Sequence, residues 1–254
     1  MYAFGFTDTG QVRQQNQDAF FVSAEPMGPL PNLFIVADGM GGHKAGDVAS
    51  REAVERFCKY FSDLPTFENP PADYIMTLRA AAIEINQQLY DMAQANPDEL
   101  KGMGTTFIAC VIHGGRADFV HVGDSRVYAL TPGAITQITY DHTYAEEMYR
   151  AGEITDEEAR VHPKRHHLTR VMGFDARVTF DGFSHDLKDV SSLLMCSDGL
   201  SNMLEDPMLM EIINREGYAE HRAHMLVEEA NQRGGTDNIT AVLIDLRGGG
   251  GDGY

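Results

Sequence analysis

The sequence predicts an α+β domain in which β-sheets pack on each other and helices lie outside. Three observations carry that expectation. Short apolar runs rich in β-branched residues recur along the chain, tight-turn residues join several of them in succession, and three longer segments repeat their apolar residues at helical spacing instead.

Strands are expected over residues 19–23, 32–37, 105–113, 116–122, 126–131, 134–138, 192–196 and 239–245. His113-Gly114-Gly115, Gly123-Asp124-Ser125 and Thr131-Pro132-Gly133 carry the residues that tight turns need, so the four middle strands read as three consecutive hairpins, an antiparallel meander. A helix is expected over 47–61, where Val48, Ala49, Ala53, Val54, Phe57 and Phe61 recur at three- and four-residue steps. A second covers 71–95, with Ile75, Leu78, Ala82, Ile85 and Leu89 in phase and Asn96-Pro97 as its stop. A third covers 219–232 and closes at Gly234-Gly235. Residues 141–167 break the pattern: they are polar, rich in His, Glu and Arg, and read as a surface flap with short helical pieces around 144–151 and 155–159. The glycine-rich stretch 248–254 reads as a disordered tail. With no internal repeat and no linker, residues 1–247 read as one domain.

Four of the apolar runs meet an aspartate flanked by glycine or a small polar residue: Asp38, Asp124, Asp198 and, in mirror order, Asp237. A buried strand ending in a carboxylate places charge where core meets water, on a rigid support, and glycine beside it lets a ligand approach the backbone. Asp-Gly is also a common turn dipeptide, so no single instance identifies a site; four in one setting suggest acids gathered at one sheet end to hold a cation. Asp18, just ahead of a strand, adds a fifth acid, and Arg13 a nearby cation. Aspartates are hard oxygen ligands suited to Mg²⁺ or Mn²⁺, and no Cys or His group has zinc-site spacing. Two such ions about 3.5–4 Å apart can share a water, lower its pKa and stabilise both oxygens of an in-line displacement. An arginine fork suits phosphate, although Arg13 alone reads more readily as a solvated charge. Together these parts make a phosphate-ester hydrolase.

Composition limits the alternatives. A formal charge of −18 lacks the basic footprint that nucleic-acid binding needs. Two divalent ions would still leave about −14, so a phosphorylated substrate must be drawn by a local positive spot. No apolar run reaches the ~18 residues of a membrane span. The first residues lack a basic region followed by an apolar one, so the expectation is a cytoplasmic protein without membrane association. Cys58, Cys110 and Cys196 sit in apolar contexts and read as reduced packing residues. The glycine loop 39–46 has Lys44 where a dinucleotide fingerprint needs glycine, and it lacks the Gly-Lys-Ser/Thr of a P-loop. Ser125 resembles an esterase nucleophile but has no following Asp/His pair. His162, His166 and His167 read as part of a basic flap facing anionic substrate.

In order along the chain, Arg13 to Asp18, Asp38-Gly39-Met40-Gly41-Gly42-His43, Gly104-Thr105-Thr106, Gly123-Asp124-Ser125-Arg126, Leu168-Thr169-Arg170, Cys196-Ser197-Asp198-Gly199 and Gly235-Thr236-Asp237-Asn238-Ile239-Thr240 resemble the motif series of the metal-dependent protein phosphatases, the PPM or type 2C family, in its compact bacterial branch. The resemblance runs from about Phe4 to Asp245. It implies a four-layer αββα sandwich of two antiparallel sheets, and removal of phosphate from phosphoserine and phosphothreonine by a metal-activated water without a covalent intermediate. Carried over by position, Asp38 would bridge two core ions, Mn²⁺ or Mg²⁺. The Gly39 carbonyl would complete one coordination sphere, and Asp198 and Asp237 would hold the other ion. Asp18 would act through water, Arg13 would clamp substrate phosphate, and Asp124 would belong to a weaker third site beside the flap. Eukaryotic relatives have a histidine general acid directly after Asp-Gly; here that position is Met40, so either His43 or a metal-bound water protonates the leaving group. Gln17 stands where those relatives have a glutamate.

Implied partners are phosphoserine and phosphothreonine proteins, including a serine/threonine kinase and its substrates, with the chain acting as a monomer. Two rivals stand beside this reading. A pseudophosphatase regulator would bind phosphopeptides without hydrolysing p-nitrophenyl phosphate, and a dedicated switch phosphatase would act on one anti-sigma-type regulator and little else.

Overall fold

The computed structural model describes residues 1–42, 45–65 and 70–247. Eleven strands form two antiparallel sheets among these residues. In one sheet, β1 (Tyr2–Asp8), β11 (Ile239–Asp245), β10 (Ser192–Cys196), β7 (Arg126–Thr131) and β8 (Ala134–Gln137) lie in that order. In the other the order is β2 (Asp18–Ser23), β3 (Leu33–Met40), β5 (Phe107–His113), β6 (Arg116–Val122) and β9 (Asp181–Asp186), with the two-residue β4 (Gly104–Thr105) beside the end of β3. Helices α1 (Ala45–Ser62) and α2 (Tyr74–Ala95) cover the second sheet, followed by the single turn α3 (Pro97–Leu100). On the first sheet lie α6 (Asp198–Ser201), α7 (Asp206–Ile213) and α8 (Ala219–Gln232). The flap carries α4 (Tyr144–Arg150) and α5 (Asp156–Val161).

The layers follow from side-chain alternation. In β3, Phe34 and Val36 point into the space between the sheets, while Leu33, Ile35 and Ala37 point at α1 and α2. In β11, Val242 and Ile244 face the inter-sheet core, whereas Ile239, Ala241 and Leu243 meet α8 and its neighbours. Strands buried on both faces have no polar side to show, which is why they read as continuous apolar runs. Three cores separated by two sheets give the αββα order.

The ends of the helices have local causes. The second helix starts at Tyr74 rather than 71 because the Asp73 side chain accepts from the Met76 N–H at 2.9 Å. In the flap, Thr155 and Glu158 cap α5 reciprocally.

One expectation fails. The four middle strands do not form a single meander, because β5–β6 and β7–β8 are hairpins in different sheets. The Gly123-Asp124-Ser125 segment carries the chain from one sheet to the other. Gly123, at φ +105°, packs so closely on Thr106 that any side chain there would collide. Two strands lacked a signal. β1 contains Gly5, whose missing Cβ leaves room for the Phe20 ring of the opposite sheet. β9 is polar because it is an edge strand pairing only with β6. The segment 248–254 lies outside the described residues.

Candidate active site

The register of β2 against β3 sets Asp18 directly opposite Asp38. Asp38 opens onto a cleft of about 500 Å³ at one end of the sandwich, lined also by Arg13, Gly39, Met40, Asp124, His166, Asp198 and Asp237. Its backbone is fixed by Thr106, whose Oγ1 accepts from the Asp38 N–H at 2.9 Å and whose own N–H donates to the Asp38 carbonyl at 2.9 Å. Gly39 is hemmed in by the Gly46 and Gln17 carbonyls, so no side chain fits there. Asp18 is not a lining residue and lies behind Asp38. Its Oδ2 accepts from Ser197 Oγ at 2.7 Å and Thr240 Oγ1 at 2.6 Å, while Oδ1 is buried without a partner.

The remaining acids come from the other sheet and from the crossover. Asp198 opens α6, separated from β10 only by Ser197, and Asn202 Nδ2 donates to its Oδ2 at 3.0 Å. Asp237 precedes β11; its Oδ1 accepts from the Asn238 N–H at 2.8 Å and its Oδ2 from Arg13 Nη2 at 2.7 Å. Arg13 therefore rests on a carboxylate of the site, with its side chain half exposed. Its loop is pinned by Asn238, which donates to the carbonyls of Thr9 (2.9 Å) and Gln15 (3.0 Å) and accepts from the Gln17 N–H (2.9 Å). Asp124 sits on the sheet-to-sheet crossover, beside the ion pair of Arg126 with Asp141 (2.7 Å). The crossover is held from the flap: His142 Nδ1 accepts from the Gly123 N–H at 3.0 Å, and the His142 N–H donates to the Gly123 carbonyl at 2.9 Å.

The electrostatics follow from crowding like charges in a desolvated place. Burial, opposed in part by the Thr240 and Ser197 hydroxyls, pushes the Asp18 carboxyl up to about 7. Burial and then the charges of Asp18, Asp198, Asp124 and Asp237 hold Asp38 well above the ordinary carboxylate range. Asp124 is raised in the same way by burial and then by Asp198 and Asp141. Asp198 is raised by burial and Asp237, with His166 and Asn202 pulling it down.

Carboxylates so placed fit divalent cations. The donors are hard oxygens, Asp18 Oδ1 is an orphaned buried acceptor, and the Asp38 carboxylate takes no hydrogen bond among the described residues. Among those residues no three His, Cys, Asp or Glu side chains converge on a single point. An ion here would thus take few side-chain oxygens and fill its shell with the Gly39 carbonyl and water, as Mg²⁺ and Mn²⁺ do.

Asp38, Gly39, Asp124, Asp198, Asp237 and Arg13 all reach the cleft, and Asp18 stands behind it. His43 lies outside the described residues. Ser125 is buried and its hydroxyl bonds Thr106 at 2.7 Å, which gives it a packing role and disposes of the esterase reading. Sequence reasoning missed the parts played by Asn202, Asn238 and the Ser197–Thr240 hydroxyl pair. Only their place in the aspartate motifs marked Asn238, Ser197 and Thr240, because their partners are as much as 229 positions away, and Asn202 stands outside any motif.

The chain matches the protein phosphatase 2C family over residues 9–242. It is 37% identical over 246 residues to the serine/threonine phosphatase stp of Listeria welshimeri, covering 96% of each chain. It superposes on the crystal structure of serine/threonine phosphatase Stp1 from Staphylococcus aureus with a TM-score of 0.87 and 37% identity, covering 97% of this chain and 95% of that one. A crystal structure of the catalytic domain of the phosphatase PstP in complex with two manganese ions matches at TM-score 0.79 and 34% identity, over 96% of this chain and 97% of that one. The acidic cleft at the end of an αββα sandwich, the ordered motifs and these matches agree: the chain belongs to the protein phosphatase 2C family.

Proposed function

We propose that this chain is a metal-dependent protein serine/threonine phosphatase whose reaction takes place over Asp38. The observation that carries the reading is the convergence of Asp38, Asp124, Asp198 and Asp237 on one cleft, with three of the four held above their ordinary pKa by burial and by one another. We assign Asp38, the Gly39 carbonyl, Asp198 and Asp237 as the groups that would hold two core Mn²⁺ or Mg²⁺ ions, and Asp124 as the acid of a weaker third site. When bound, the ions supply charge neutralisation at phosphorus and lower the pKa of a water.

The protein groups do the rest. Asp18, behind the cleft with Oδ1 unpaired, acts on the site through an intervening water. Arg13 is exposed enough to turn from Asp237 to substrate, where its fork donates two hydrogen bonds to the phosphate oxygens. Asn238 holds the loop that carries it. Met40 lines the cleft where eukaryotic relatives have histidine, so we assign protonation of the leaving serine or threonine oxygen to water.

The same proposal includes a serine/threonine kinase and that kinase's targets among the substrates. It places the activity in the cytoplasm and in a single chain. No helix among the described residues is long and apolar enough to cross a membrane. Phosphate release from p-nitrophenyl phosphate and from a phosphothreonine peptide, measured with Mn²⁺ and then with EDTA, tests the reading. Turnover abolished by EDTA and restored by Mn²⁺ is expected; EDTA-resistant turnover, or none with Mn²⁺, overturns it.

A further inference from the structure

A second cavity, of about 650 Å³, lies where α2, β6, β9 and the start of the flap meet. Its charge is opposite to that of the acidic cleft. Arg79 of α2 and Arg150 of α4 both line it, and neither has a carboxylate within salt-bridge distance among the described residues. That is unusual in a chain with 38 acidic side chains against 20 lysines and arginines. The one lining carboxylate, Asp181, is already engaged by Arg170 at 3.0 Å and His142 at 3.2 Å.

Two buried polar atoms on the wall are unsatisfied. Arg79 Nε has no partner, and the guanidinium packs against Gly182, where any Cβ would strike Nη2. His121, only 1% exposed, leaves Nε2 without a partner. Burial and the neighbouring His142 ring, 4.7 Å away, keep His121 neutral by lowering its pKa to about 3. Arg150 is stacked over the Tyr140 ring at 4.1 Å, and Ile83 and Phe183 supply apolar wall.

We propose that this cavity binds a small organic anion of the phosphate-monoester or phosphonate class. Its charged oxygens would meet Arg79 and Arg150, and its body would lie on Ile83 and Phe183. A neutral alcohol leaves the arginines without a counter-charge. A ligand here bridges α2 of the body to α4 of the flap, and His121 touches His142, which holds the crossover bearing Asp124. The cavity is thus a candidate effector site coupled to the flap, separate from the acidic cleft.

The test is calorimetric titration of phenylphosphonate into the EDTA-treated full chain, with the His121 imidazole followed by nitrogen NMR. One saturable site is expected, with a shift of the His121 Nε2 resonance. Affinity should fall about tenfold or more in Arg79→Ala and in Arg150→Glu, and stay unchanged in Arg13→Ala. Arg150 is exposed, so its replacement tests the site even if Arg79→Ala fails to fold. Saturation absent up to roughly 10 mM, affinity unaltered by Arg150→Glu, or affinity lost on replacing Arg13 alone would each overturn the proposal.

Discussion

The cleft over Asp38 and the cavity over Arg79 are two solutions to one problem. Each gathers side chains of one sign in a concave site, and each leaves a buried polar atom unpaired, Asp18 Oδ1 in the first and Arg79 Nε in the second. In the cleft the strain appears as carboxyl groups that resist ionising. In the cavity an arginine has no such escape, because guanidinium does not give up its proton. Acidic sites can therefore wait protonated for their ions, whereas a basic site must be kept wet or filled. The sequence motifs mark the first site plainly and do not mark the second.

The largest effect that would sharpen this contrast is removal of a carboxylate. Asp38→Ala or Asp198→Ala should lower kcat with saturating Mn²⁺ by on the order of 10³-fold, the equivalent of several kcal/mol of lost charge stabilisation. Near-normal turnover in Asp38→Ala would break the site assignment. Next, Arg13→Ala should raise KM for phosphate esters about tenfold with little change in kcat, as expected for a group that binds ground and transition states alike. A fall in kcat alone would place Arg13 in the transition state instead. Asn238→Ala, which frees the loop bearing Arg13, should cost roughly 2 kcal/mol in urea unfolding, since it removes two donors and an acceptor.

The pH response should differ in sign between apo and loaded protein. Asp18 titrates near 7 in the folded chain and near 3.8 when unfolded. Between those values the native state binds more protons than the unfolded one, so stability falls as pH rises. EDTA-treated protein should melt several degrees higher at pH 5.5 than at pH 8, and saturating Mn²⁺ should reverse that order by holding the carboxylates ionised. Melting of the EDTA-treated protein that improves toward pH 8 would contradict the raised carboxyl group. The smallest effect belongs to Ser125→Ala. It should cost about 1 kcal/mol through the lost Thr106 contact and leave turnover within twofold.

Much of this was legible in the chain itself. Runs buried on both faces, such as Phe34 to Ala37 and Ile239 to Ile244, announce central strands, and glycine beside aspartate marks where they end at the cleft. Local chemistry did not reveal the partner of a turn. Gly123-Asp124-Ser125 has hairpin composition, yet it crosses between sheets because its closest packing partner is Thr106, on another strand edge. Nor could β9 be seen, since an edge strand of Asp, Gly, Ser and His is ordered only by β6 beside it. The ion pair of Arg13 with Asp237 spans 224 positions and left no local trace.

The pairing of Asp18 with Asp38 across β2 and β3 restricts which insertions and deletions the gene can accept. Successive residues of a strand face opposite ways, so adding or deleting one residue within β2 would swing its acid off the side facing Asp38 while leaving the hairpin able to form. The connection at 24–32 offers little slack in exchange, because the Met27–Leu30 bridge and the Asn32 bonds to Ile112 fix it to the core. A one-residue change in either strand should therefore yield protein that folds but does not turn over.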